Sequence, residues 1–174
     1  MPSTKAGWLA IRYSDTDTGK DQNTQRGEKM KSDQIDHIHV KVNDMKSVTS
    51  AFEDVLGKKM DMGELDFTAD NGLKVSFNGF PNGLEIMEVT DKTKEMAALY
   101  DPAPEGIFAI SLKVDDIEKA TADMESMGHK MLMRYDFGEI KEALFDTQKA
   151  LKVYVELIEY PTGDIMAADS GGVV

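Results

Sequence analysis

Short stretches in which every second residue is apolar mark the predicted strands of this chain, and segments of helical periodicity separate them. The first stretch, IDHIHVKV at 35–42, places Ile38, Val40 and Val42 on one face and polar residues on the other. The segment that follows has apolar residues three or four positions apart, which predicts an amphipathic helix packed against the apolar strand face. The polar strand face is then free to line the inside of a curved sheet.

The same pattern occurs twice, with an offset of 72 residues at the first strand of each copy. The stretch IDHIHVKVNDMKSVTSAFEDVLGKKM (35–60) resembles IFAISLKVDDIEKATADMESMGHKM (107–131), and GLEIMEV (83–89) resembles YVELIEY (154–160). Between each helix and the end of its repeat, turn signals divide the chain into three short strands. Two copies of about 70 residues indicate a duplicated βαβββ module rather than a solenoid, which needs more repeats.

Capping residues mark the ends of the two main helices. Asn43 or Asp44 is suited to the N-cap of the first, and Gly57 to its C-terminal cap. For the second helix, we predict that Asp115 is the N-cap and that Glu118 completes a capping box.

The repeat divides the chain into five parts. The two modules are flanked by a flexible N-terminal extension and a C-terminal tail and joined by a linker with a short helix; the predicted bounds are 1–34, 35–90, 91–106, 107–162 and 163–174. A patch at 8–13 contains Trp8 and Tyr13, and an alternative in which it docks on a neighbouring subunit stays open.

Composition and charge narrow the class of partner. The chain of 174 residues has 20 Lys and Arg against 32 Asp and Glu, a net charge of −12. Such a surface repels nucleic acid and anionic membranes, and no stretch approaches the roughly 20 apolar residues of a membrane span. Without cysteine there is no disulfide and no thiolate ligand, which fits a cytoplasmic protein. We therefore expect a small-molecule partner, with no nucleic acid and no membrane.

Two imidazoles and two carboxylates are candidates for chemistry on the inner face. His37 and His39 lie on the first strand, and Glu85 and Glu156 lie in the last strand of each module. Glutamate within an apolar strand is costly unless it is paired or bound to a metal. This donor set suits a divalent Zn, Mn, Fe, Co or Ni ion.

Three stretches, IDHIHVKVNDMKSVTSAFEDVLG, GIFAISLKVDDIEKA and ALFDTQKALKVYVELIEYP, resemble the vicinal oxygen chelate superfamily of glyoxalases, epimerases, dioxygenases and resistance proteins. The chain is most similar to epimerase-like and glyoxalase-like members. The resemblance covers about 35–160 and implies an α+β fold in which two tandem βαβββ modules form a cupped, partly open mixed sheet. It also implies that the chain forms a homodimer.

The resemblance implies four ligand positions, of which three match. They fall on His37, Glu85 and Glu156, whereas the fourth falls on Ala109, which has no donor atom. His39 is two residues from His37 on the same strand face, roughly 6.5–7 Å away, so the two imidazoles can chelate one ion. A site in which His39 compensates for Ala109 is therefore one alternative.

The family chemistry implied is metal-assisted proton transfer. We expect a divalent-metal-dependent isomerase, epimerase or lyase that acts on an α-substituted carbonyl or thioester compound, including acyl-CoA, through an enolate-like intermediate. Glu156 and Glu142 are the predicted catalytic carboxylates, and His39, Ser111 and Arg134 the predicted substrate-binding residues. The alternative is a metal-free protein of the same fold that sequesters a small molecule.

The glutamate base that epimerase-like members carry in a middle strand of module one has no counterpart by alignment. Lys74 or Ser76 falls there instead.

Overall fold

A computed structural model describes residues 32, 34–57, 59–60, 62–78 and 83–161. The predicted tail at 163–174 lies outside these residues, as does the predicted extension apart from Ser32 and Gln34. The elements of the described part, in chain order, are β1 (Ile35–Val42), α1 (Met45–Leu56), β2 (Met62–Phe67), β3 (Leu73–Asn78), β4 (Gly83–Val89), α2 (Glu95–Tyr100), β5 (Gly106–Lys113), α3 (Ile117–Ser126), β6 (Lys130–Phe137), β7 (Ile140–Asp146), α4 (Gln148–Leu151) and β8 (Tyr154–Glu159).

The strands form one curled mixed sheet in the order β2-β3-β4-β1-β5-β8-β7-β6. Within each module the first and last strands run parallel, as β1 with β4 and β5 with β8, and the remaining neighbours are antiparallel. The antiparallel pairing of β1 with β5 joins the modules at the centre. The α+β fold of two tandem βαβββ modules in a cupped sheet is confirmed.

Helices α1 and α3 cover the outer face of the sheet. Val42, Met45 and Ile86 form the core beneath α1, and a second cluster that includes Ile117 and Phe145 lies beneath α3. The apolar residues of the alternating strands therefore face these helices, as the pattern predicts.

The predicted caps of α1 are confirmed, and one predicted cap of α3 is wrong. The Asp44 carboxylate accepts a hydrogen bond from the backbone N–H of Ser47, and Gly57 ends α1 with a φ of 66°. In α3 the N-cap is Asp116, one residue beyond the predicted Asp115. This start makes the buried Ile117 the first helical residue, where it packs against the sheet.

Equivalent glutamates of the two repeats tie the helix starts to the sheet. Glu88, near the end of β4, accepts a hydrogen bond from the N–H of Met45 at 3.0 Å. Glu159, at the end of β8, accepts one from the N–H of Ile117 at 2.7 Å. A carboxylate at a helix N-terminus satisfies an unpaired donor and favours the helix dipole.

The predicted linker helix, α2, packs on the inner face of module one. Ala97 and Tyr100 lie in a buried cluster with residues of β3, β4, β5 and β7, and the Tyr100 ring lies 4.3 Å from that of Phe108. The buried Lys41 ammonium donates to the carbonyl groups of Asp101 and Ala103 and so fixes the chain after α2. One half of the cup is thereby filled with apolar side chains.

No helix in the described part of the chain is long and apolar enough to cross a membrane.

Candidate metal centre

Two histidines and two glutamates meet at the centre of the cup, where the modules join. His37 and His39 project from β1, Glu85 from the adjacent β4, and Glu156 from β8 on the other side of β5. The strand registers place these side chains on one face, because His39 pairs with Glu85, while Ser111 pairs with both His37 and Glu156. His37, His39 and Glu156 are each only 2% exposed.

The donor atoms of this cluster lie close together. His37 Nε2 is 3.3 Å from Glu85 Oε2 and 3.5 Å from Glu156 Oε1. His39 Nδ1 is 3.4 Å from Glu85 Oε2, and His39 Nε2 is 3.2 Å from Glu156 Oε1. Each carboxylate therefore contacts both imidazoles.

The cluster fits a divalent cation. His37, His39 and Glu156 each offer one ligand atom, and these atoms all lie within 4.8 Å of one another. Donors about 2.1 Å from a common ion are themselves about 3.0–3.4 Å apart, close to the 3.2 Å and 3.5 Å that separate Glu156 Oε1 from His39 Nε2 and His37 Nε2. Among the described residues, the buried His39 Nδ1 has no hydrogen-bond partner, although it lies 3.4 Å from Glu85 Oε2, so a ligand at this atom would satisfy it.

Ala109 lies directly opposite His39 in the β1–β5 register and is completely buried. Ala109, at the implied ligand position without a ligand atom, thus lies next to His39, the imidazole that the family pattern does not include. His39, predicted from the sequence as a substrate-binding residue or a compensating ligand, is placed by its contacts among the donors.

The buried Asp36 carboxylate contacts the His37 ring at Nδ1, the nitrogen that faces away from the two glutamates. Asp36 Oδ1 accepts a hydrogen bond from His37 Nδ1 at 2.9 Å, and Asp36 Oδ2 accepts one from the Tyr160 hydroxyl. Burial opposes a positive charge on His37, but the hydrogen bonds to Asp36 and Glu85 and the charge on Glu156 outweigh it and raise its pKa to about 10. Burial, together with the hydrogen bond to Asp36, raises the pKa of Tyr160 above its usual range.

Neither Asp36 nor Tyr160 was predicted from the sequence. The one feature of the sequence that points to this pair is the acid immediately before His37 in IDHI.

The two predicted catalytic carboxyl groups have opposite pKa shifts. Burial raises the pKa of Glu142 well above its ordinary value, and the charges of Glu156 and Glu85 raise it further. Burial acts in the same direction on Glu156, but the charge and hydrogen bond of His39, with His37 and Ser111, lower its pKa overall. Glu142 faces the cup from β7. It is a diagonal neighbour of Glu156 on the paired strand, so the Cα atoms of the two residues are roughly 7–8 Å apart.

Arg134 does not join the cluster. It pairs with Ala143 on the helix-covered face, where its guanidinium contacts Glu118 at 2.8 Å and Asp136 at 3.0 Å. Ser111 does lie in the cluster, buried between His37 and Glu156.

Lys74 and Ser76 also lie on the helix side of the sheet. The inner face of β3 carries Val75 opposite Met87 and Phe77 opposite Glu85. Module one therefore presents apolar side chains from β3, whereas β7 of module two presents Glu142.

One family model matches the chain: that of the Glyoxalase/Bleomycin resistance protein/Dioxygenase superfamily, over residues 36–145. This match spans well over half of the sequence. None of the curated proteins gives a significant match.

Several solved structures have a similar fold. A variant of Streptomyces coelicolor methylmalonyl-CoA epimerase in complex with 2-nitronate-propionyl-CoA gives a TM-score of 0.61 at 16% identity, covering 76% of this chain and 97% of that chain. Methylmalonyl-CoA epimerase from Mycobacterium tuberculosis gives 0.61 at 19% identity, covering 82% and 95%. A hypothetical protein from Bacillus halodurans C-125 gives 0.62 at 22% identity, covering 75% and 96%. At these identities the likeness shows the fold alone.

Proposed function

The chain belongs to the glyoxalase/bleomycin resistance protein/dioxygenase superfamily, and on that basis we propose that it is a divalent-metal-dependent isomerase, epimerase or lyase. Its substrate would be a small α-substituted carbonyl or thioester compound. The observation that carries the proposal is the buried cluster of His37, His39, Glu85 and Glu156, with Glu142 one strand away on the same face.

His37, His39, Glu85 and Glu156 would hold the cation. When bound, a divalent ion supplies Lewis-acid stabilisation of the negative charge that develops on a substrate carbonyl oxygen. The donor set is restricted to nitrogen and oxygen, which suits Co, Ni, Mn, Zn or Fe.

Glu142 is the proposed proton-transfer residue. In its ionised form it removes a proton from the carbon next to the carbonyl, and the electron pair of that C–H bond moves toward the carbonyl oxygen to give an enolate-like intermediate. In an isomerase acting on an α-hydroxy carbonyl compound, the resulting carboxylic acid then delivers this proton to the former carbonyl carbon, while the hydroxyl proton passes to the former carbonyl oxygen. The raised pKa of Glu142 favours proton uptake in the first step, whereas the lowered pKa of Glu156 favours a carboxylate that stays ionised as a ligand.

The substrate approaches from the side of Glu85 and Glu142. The Glu85 side chain is 14% exposed, whereas His37, His39 and Glu156 are almost fully buried. Helix α2 and Phe108 cover the module-one half of the cup and exclude water there. Exclusion of water strengthens the electrostatic interactions inside the site.

An acyl-CoA is one candidate substrate. The Streptomyces coelicolor neighbour is complexed with 2-nitronate-propionyl-CoA, and another neighbour is complexed with methylmalonyl-CoA. We also propose a homodimer, which sedimentation equilibrium would distinguish from a monomer of 19.3 kDa.

A metal-free binding protein is the second candidate function. The lack of a donor at Ala109, where the family resemblance implies a ligand, favours it.

Exchange of the α-proton with solvent deuterium tests the enzyme proposal. Two candidate substrates, methylmalonyl-CoA and a hemithioacetal of the kind that glyoxalases act on, would be incubated in D₂O with protein loaded with Co²⁺. Proton NMR would follow the loss of the α-proton signal. We expect exchange by the wild type and a loss of roughly 100-fold or more in Glu142→Gln, with its Co²⁺ content unchanged.

Glu139→Gln is the matched control, because Glu139 is exposed in the turn before β7. Equal exchange by Glu142→Gln and the wild type would remove Glu142 from the mechanism. Absence of exchange with both substrates, together with binding of an apolar ligand, would favour the binding protein.

A further inference from the structure

We infer that Asp36 and Tyr160 form a support pair that positions the His37 ring for metal binding. The inference rests on the proposed metal centre and assigns the pair a role that the four donors cannot supply themselves. Asp36 and Tyr160 are positioning residues, because the hydrogen bonds of the pair reach the site through His37.

Both oxygens of Asp36 are engaged, each with a different partner. Oδ1 accepts from His37 Nδ1, and Oδ2 accepts from the Tyr160 hydroxyl. Because Nδ1 is held from behind, the ring presents Nε2 to Glu85 and Glu156 on the cup side. A hydrogen bond from the distal ring nitrogen to a carboxylate fixes the orientation of a ligating imidazole and raises its basicity.

The fold provides this contact at a local irregularity. The β1–β5 register shifts between Ile35 and His37, so Asp36 departs from the alternation of the strand. It is completely buried, and in the described part of the chain no lysine or arginine forms an ion pair with it. A buried carboxylate is costly unless it is paired, and its bonds to His37 and Tyr160 offset this cost.

Tyr160 brings the support from the other module. It follows β8 and is 124 residues from Asp36 in the sequence, yet it is only 7% exposed. The Lys113 ammonium lies 3.7 Å from the centre of its ring and holds the ring by a cation–π contact. The first imidazole of module one is thus aligned by the end of module two.

Cobalt affinity and imidazole NMR test the inference in the full-length protein. Titration with Co²⁺, followed by d–d absorption, would compare the wild type with Asp36→Asn and Tyr160→Phe. We expect Asp36→Asn to bind Co²⁺ about 10–100-fold more weakly and Tyr160→Phe to be weakened less. Tyr154→Phe, which removes a hydroxyl at the other end of β8, where the ring packs against Phe108, should bind as the wild type does.

In the metal-free protein the His37 Nδ1–H proton should give a downfield, slowly exchanging resonance. It should shift in Tyr160→Phe and be lost in Asp36→Asn, whereas Tyr154→Phe leaves it unchanged. Thermal unfolding of each variant checks that the protein remains folded.

The outcomes separate the two proposals. If the wild type binds Co²⁺ and both variants match its affinity, the positioning role is overturned and the metal centre stands. If the wild type binds no Co²⁺, the metal centre is refuted, and the NMR spectra alone then show whether Asp36 and Tyr160 orient the His37 ring. In that case a Nδ1–H resonance that responds to Tyr160→Phe supports orientation of the ring by the pair, and identical spectra overturn it.

Discussion

Moving an imidazole from β1 to the opposite position on β5 should preserve a site that either single substitution damages. The exchange is His39→Ala with Ala109→His, two positions that are paired in the antiparallel register. The Cβ atoms of such a pair are about 4.5–5.5 Å apart, so the relocated ring can reach the same region of the cup. It also places a ligand atom at residue 109, the fourth ligand position that the family resemblance implies.

The expected magnitudes follow from burial and contacts. His39→Ala removes the partner at 3.2 Å from Glu156 Oε1, at a cost of about 1–3 kcal/mol in the free energy of unfolding. Ala109→His alone adds a ring at a completely buried position and costs about 1–3 kcal/mol by overpacking. The double variant conserves side-chain volume and should lie within about 1.5 kcal/mol of the wild type.

Urea unfolding and Co²⁺ titration measure the two effects. Loss of a direct ligand in His39→Ala should weaken Co²⁺ binding by more than the roughly 10–100-fold typical of outer-shell changes, and the double variant should recover most of that loss. If His39→Ala binds Co²⁺ as the wild type does, His39 is not a ligand. If the double variant binds no better than His39→Ala, the two positions are not equivalent.

Two further predictions concern stability. Gly72→Ala should lower the free energy of unfolding by more than about 1 kcal/mol in urea titration, because Gly72 has a φ of 82° and a Cβ there would lie 2.3 Å from the Asp91 carbonyl oxygen. Gly138→Ala, with a φ of 64° and open space around it, is the control, and an equal loss in both would contradict the steric argument. The hydrogen bond from the Ile117 N–H holds the pKa of Glu159 below its ordinary value, so its stabilisation is present above the unfolded pKa and is lost as pH falls through the folded pKa. Thermal unfolding of Glu159→Gln should therefore depend less on pH in the acidic range than that of the wild type, and parallel curves would refute this.

The repeat made the element order of each module and the residues of the inner face predictable. A period of two fixes which residues share a face, so His37 and His39 could be placed together before any contact was known. The sequence similarity between the last strands of the two modules likewise placed Glu85 and Glu156 at equivalent positions. Regular periodicity and duplication therefore account for the βαβββ element order of each module and for the four clustered side chains, whereas the cupped sheet was implied by the family resemblance.

The parts that could not be predicted depend on departures from regularity. Asp36 shares the parity of Ile38, and only the register shift in β1 turns it toward Tyr160. Tyr160 is distant in sequence, and alternation alone cannot pair two residues across modules. The faces of Arg134 and Glu142 depended on the β6–β7 register, which short strands with an irregular pairing do not reveal.

Metal content of the protein purified without chelator tests the central claim most directly. His37→Ala is the informative variant, and His129→Ala is the matched control because it removes the one histidine outside the cluster. The account predicts near-stoichiometric divalent transition metal in the wild type and in His129→Ala, and its loss in His37→Ala. Absence of metal from the wild type, even after loading with Co²⁺, Ni²⁺, Mn²⁺ and Zn²⁺, would contradict the metal centre.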